Sequence, residues 1–137
     1  MIGEPDDPRR RAAAAWIVVA LALALQLWGL YTTSPPDAGG LWFPGMDKIV
    51  HVVLFAAPTW ALLRVVPKPW MALVPMLVHI PVSEMIQFFW IEGRSGDLLD
   101  GLADLLGVAV GWWTAVRVDG TGDAAGPGPG RPRKRDG

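Results

Sequence analysis

Ionisable side chains recur at helical spacing in three places along the chain. Asp47, Lys48 and His51 open an apolar run, and the i,i+4 spacing of Asp47 and His51 sets them on one helix face. Glu84 and Gln87 stand i,i+3 near the end of another run. Asp97, Asp100 and Asp104 follow at i, i+3 and i+7 on a third, with Arg94 just ahead of them. Carboxylates beside a neutral imidazole can act as general acids or bases, while Lys48, Arg94 and a protonated His51 can hold an anionic group. His51 with these carboxylates could also ligate a metal, but one histidine does not make a zinc pattern, so no metal or cofactor is expected. No Ser-His-acid order, glycine-rich phosphate loop or HExxH motif is present, and Ser95 has no base beside it. No catalytic residue is therefore assigned.

The elements that must position these groups are membrane helices. The chain is 52% hydrophobic, and its apolar residues fall in long charge-poor runs separated by short polar clusters. Ala12 to Tyr31 carries no charge and is broken only by Gln26, which is long enough to cross a bilayer core of about 30 Å. A cleaved signal, with Arg9–Arg11 as its basic region, is disfavoured by the length of that run and by the missing Ala-x-Ala site. Asp47 is expected to cap a second span over Ile49–Val66, kinked at Pro58, with Arg64 snorkelling at its far end. Pro67-Lys68-Pro69 forms a turn. Trp70–Trp90 is a third span, bent by Pro75 and Pro81, in which His79 should be hydrogen-bonded within the bundle. The fourth runs from Asp97 or Leu98 to about Val116. The expected fold is an all-α bundle of four transmembrane helices over 12–118. A disordered lead (1–11) and a disordered basic tail (119–137) flank it. Trp42 and Phe43, in the connector before Asp47, read as interfacial anchors.

Charge placement sets an orientation. Arg9, Arg10, Arg11, Arg64, Lys68, Arg117, Arg131, Arg133, Lys134 and Arg135 are ten of the 12 basic residues, leaving Lys48 and Arg94. The ten lie at the termini or the Pro67–Pro69 turn, so those segments should face the cytoplasm and the polar clusters the outside. A net charge of -1 argues against a nucleic-acid partner, and the absence of cysteine excludes disulfides and thiolate chemistry.

Counted from the helix ends, Glu84 and Asp104 should lie on the order of 10 Å deep. A carboxylate there costs roughly 2.5 to 3.5 kcal/mol, so it must face the bundle interior and find partners. The expected cluster is Asp47, Lys48, His51, Glu84, Gln87, Arg94, Asp97, Asp100 and Asp104, with Arg94 folding back over the helix ends to pair with Glu84 or one of the aspartates. Its acids outnumber its bases, which calls for a protonated carboxyl or an added cation. Gly107 and Gly111, with Ala103, read as a small-residue packing seam.

These motifs resemble the VanZ-like family of small bacterial membrane proteins. The matching pieces are Asp47-Lys48-x-x-His51-x-x-x-Phe55, Glu84-x-x-Gln87, Gly93-Arg94-x-x-Asp97-x-x-Asp100 and Gly107-x-x-x-Gly111, in the family's order over about residues 41–113. Asp104 departs from the pattern, since the family often has asparagine there. The resemblance implies a multi-pass protein of the bacterial plasma membrane with a shared outer-face site, and a link with teicoplanin-type glycopeptide resistance. Two functions are compatible with the residues. The favoured one is a non-enzymatic protein in the lipid bilayer whose outer cluster binds a lipid-linked envelope component or a membrane-protein partner. The other is a membrane enzyme acting on a lipid-linked headgroup, with Glu84 or an aspartate as general base.

Overall fold

The computed structural model describes residues 7–32, 45–91 and 98–122, apart from the side chains of 119–122. They form four helices: α1 (Pro8–Tyr31), α2 (Met46–Leu63), α3 (Trp70–Trp90) and α4 (Leu98–Gly122). Each is long and apolar enough to cross a membrane. Even α2, at 18 residues, extends about 27 Å by helical rise. Residues 1–6, Trp42, Phe43, the 92–97 loop with Arg94 and Asp97, and the tail from 123 lie outside the described residues.

Several helix ends differ from the sequence expectation, each for a local reason. The first helix starts at Pro8, one turn before Ala12, so Arg9–Arg11 are helical rather than part of a disordered lead. Asp7 accepts a hydrogen bond from the Arg9 N–H, and Pro8 sits where a helix needs no donor. In α2 the cap is Gly45, at φ 91°, and not Asp47. That left-handed turn suits glycine, and it moves Asp47 into the first turn, where its charge still complements the helix N-terminus. The same helix ends at Leu63 instead of Val66. Pro67 disfavours helical geometry at Val66, and the amides of Arg64 and Val65 bond three residues back to Ala61 and Leu62. Helix α4 continues through Asp119 to Gly122, beyond the expected end at about Val116. α3 spans Trp70–Trp90 as expected, with Pro75 and Pro81 inside it.

Cross-helix contacts fix the topology. Lys48 meets Asp100, His51 meets Asp104, and Ala56 faces Gly111, so α2 and α4 run parallel. Gln26 approaches Met76 and Gln87 reaches the Leu30 carbonyl, so α1 and α3 run parallel to each other. The starts of α2 and α4 therefore share one end of the bundle with the finishes of α1 and α3.

The polarity of the bundle is the reverse of a water-soluble one. Trp28 is 68% and Phe88 64% exposed, whereas Gln26, Thr59, Ser83 and Asp104 are fully buried at 0%. Apolar residues outside and polar ones inside suit hydrocarbon as the surrounding solvent. The most extensive packing joins α2 to α4. A Cβ at Gly107 would lie 2.5 Å from the Val52 carbonyl oxygen, and one at Gly111 2.5 Å from that of Ala56. Only glycine lets the two backbones approach this closely. Phe55, fully buried, fills the space beside Gly107.

Candidate functional site

The glycine seam brings two polar rows face to face at the start of α2 and α4. Lys48 and His51 are three apart on α2, Asp100 and Asp104 four apart on α4, so matching members meet one turn apart. In the upper layer the Lys48 ammonium bridges two carboxylates. It lies 3.0 Å from Asp47 Oδ2 and forms a close ion pair with Asp100. Asp100 is buried, and its lysine compensates that burial.

One turn deeper, His51 Nδ1 lies 2.8 Å from Asp104 Oδ1. Glu84 enters from α3, and donor atoms of His51, Glu84 and Asp104 all lie within 4.8 Å of one another. Both Glu84 carboxylate oxygens are shielded from solvent, and Asp104 Oδ2 is buried with no hydrogen-bond partner among the described residues. Glu84 and Asp100 both lie within Coulombic range of the His51 ring. His51 is six residues into α2, Asp104 seven into α4 and Glu84 seven from the end of α3, about 8–9 Å along each helix. The three reach a common level from three helices.

A third polar contact lies below. The Phe55 ring packs on that of His79 with centroids 5.6 Å apart, and His79 Nε2 is 2.8 Å from the Tyr31 hydroxyl. His79 is thus hydrogen-bonded within the bundle, as its place between two prolines suggested. Asp104 lies within Coulombic range of both His79 and Tyr31.

Six of the nine expected cluster residues meet in these two upper layers: Asp47, Lys48, His51, Glu84, Asp100 and Asp104. Gln87 is buried elsewhere, donating to the Leu30 carbonyl at 3.0 Å and tying α3 to α1. Arg94 and Asp97 fall outside the described residues. Tyr31 was not anticipated. It ends an apolar run, and its partner is 48 positions away, so no local spacing marks it.

The two upper layers differ in what they can do. The upper one places a lysine between two aspartates and can present charge to an anionic group. The lower one sets two carboxylates against one imidazole in a low-dielectric interior, an arrangement that can hold a proton or a cation between them. His51 and Asp104 also form a base-and-orienter pair of the kind used in proton transfer. Neither family models, nor curated proteins, nor solved structures match this chain.

Proposed function

We propose that the chain is a VanZ-like protein of the bacterial plasma membrane whose polar end faces outward and binds a lipid-linked component of the cell envelope. The observation that carries this reading is the stacked pair of polar layers where α2, α3 and α4 converge. Of the family-resemblance residues that fall on described positions, Asp47, Lys48, His51, Glu84 and Asp100 contribute to that stack, while Gln87 turns to the Leu30 carbonyl and Phe55, Gly107 and Gly111 pack the helices. The basic residues at the termini and the Pro67–Pro69 turn support cytoplasmic termini and an outward polar end. Through such binding the protein would alter access of glycopeptides of the teicoplanin type to their target.

The cysteine-free sequence makes the orientation straightforward to test. Leu98→Cys, 80% exposed at the polar end, should react with a membrane-impermeant maleimide in intact cells. Lys68→Cys should react only after permeabilisation. The opposite pattern would reverse the orientation and remove the envelope ligand from reach. For the function itself, reconstituted protein is offered lipid-linked cell-wall intermediates. Saturable binding that weakens at least tenfold in Glu84→Gln, His51→Ala and Arg94→Ala is the expected result.

The His51–Asp104 pair at 2.8 Å favours a second reading, a membrane enzyme working on a lipid-linked headgroup by acid–base chemistry. Here His51 or Glu84 is the base and Lys48 holds the headgroup's negative charge. Product formed from the same intermediates, and lost in His51→Ala while binding persists, would select this reading over binding alone.

A further inference from the structure

The geometry points to a divalent metal site in the deeper layer, formed by His51, Glu84 and Asp104. This inference is independent of which envelope component meets the polar end, because it rests on the interior of the bundle.

Three observations combine. Donor atoms from three separate helices already lie within 4.8 Å of one another. Two ligands at about 2.0–2.2 Å from a shared ion stand roughly 3–3.5 Å apart, so closing the set needs side-chain adjustments of about an ångström. Asp104, at 0% exposure, keeps Oδ2 buried without a hydrogen-bond partner among the described residues, on the same carboxylate whose Oδ1 lies 2.8 Å from His51 Nδ1. A buried carboxylate oxygen left unbonded costs about as much as a lost hydrogen bond to a charged group, and it persists where something else supplies the contact. Finally, two carboxylates and a neutral imidazole are a donor set that a divalent cation takes. Among the described residues, Lys48 is engaged one layer up by Asp47 and Asp100.

The donor chemistry narrows the ion. One imidazole nitrogen with carboxylate oxygens suits zinc, manganese or ferrous iron better than magnesium or calcium, which prefer oxygen alone. Three protein donors also leave a coordination position for water or for an anionic oxygen arriving from the polar end.

The test uses the full chain purified in detergent, stripped with chelator, then equilibrated with zinc or with manganese alone and analysed for bound metal. About one equivalent of one of these ions per chain is expected in the wild type. Glu84→Gln and His51→Ala should each weaken binding at least tenfold, whereas Asp47→Asn, in the upper layer, should leave it unchanged. Folded Glu84→Gln is recognised by an unaltered elution profile and helical content, and His51→Gln serves if His51→Ala fails to accumulate. The proposal is overturned if neither ion binds stoichiometrically, or if binding survives in Glu84→Gln and the His51 variant. It is equally overturned if Asp47→Asn abolishes binding, which would put the ion in the upper layer.

Discussion

The two upper polar layers are one helical turn apart and each sets two carboxylates against one nitrogen base, yet they differ in how those groups are paired. In the upper layer, Lys48 lies between Asp47 and Asp100 and neutralises the buried Asp100 directly. In the deeper one, His51 faces both Glu84 and Asp104, and a buried Asp104 oxygen is left without a hydrogen bond among the described residues. The first layer ties both of its carboxylates to one ammonium and joins α2 to α4. The second brings two carboxylates and an imidazole close enough to share a proton or a cation. The lesson is that burial alone does not mark a site. Buried carboxylates and an imidazole converging from three helices, with an Asp104 oxygen left without a hydrogen bond among the described residues, do mark one, because cores otherwise satisfy such groups.

The sharpest way to break this comparison is to pull the layers apart. Gly107→Val would drive a side chain into the Val52 carbonyl and the Phe55 Cβ, which a Cβ at this position would approach to 2.5 and 2.8 Å. Neighbouring backbone cannot yield as a flexible side chain can, so a loss of about 3 kcal/mol or more is expected. The readout is loss of folded protein from the membrane fraction, with both layers abolished together.

A smaller effect separates the layers. Lys48→Met leaves Asp100 buried without its ammonium, and should cost about 1–3 kcal/mol in detergent unfolding, moderated by the partial exposure of Lys48. Adding Asp100→Leu should recover most of that loss, since an apolar pair fills the space without a stranded charge. If the double variant is no better than the single one, the upper layer is not the self-contained unit described here.

The smallest effect belongs to the contact beneath. Tyr31→Phe removes the hydroxyl 2.8 Å from His79 Nε2 and should lower stability by about 1 kcal/mol without touching metal or ligand binding. A clear loss of metal binding in Tyr31→Phe would show that His79 belongs to the functional layer after all.

Much of this arrangement is legible in the sequence because its parts are local. Apolar runs of span length give four helices, and Asp100 with Asp104 could be placed on one face in advance, whereas on α2 the spacing grouped Asp47 with His51 and the residues that meet α4 are Lys48 and His51. The closeness of Gly107 and Gly111 to α2 follows from their four-residue spacing. What was not legible depends on partners distant in sequence. Spacing grouped Gln87 with Glu84, but the two side chains point to different neighbours, Leu30 on α1 and His51 on α2. Nothing near Tyr31 announces His79. Nor did the chain reveal that Lys48 would meet Asp47 and Asp100 while His51 meets Asp104 one turn deeper. That division follows from the depth of each residue once α2 and α4 lie parallel. The helix caps failed for a subtler reason: Asp47 is a good capping residue, but Gly45 can take the left-handed turn that starts the helix two residues sooner.

The central claim is that the deeper layer carries charge for a ligand rather than for the fold, and thermal unfolding of Glu84→Gln tests it most directly. In chelator-treated protein, removing one of two crowded carboxylates should leave the melting temperature equal to that of the wild type or higher, because repulsion is relieved and shape is kept. A melting temperature several degrees below the wild type under those conditions would contradict the account, since Glu84 would then be holding the bundle together.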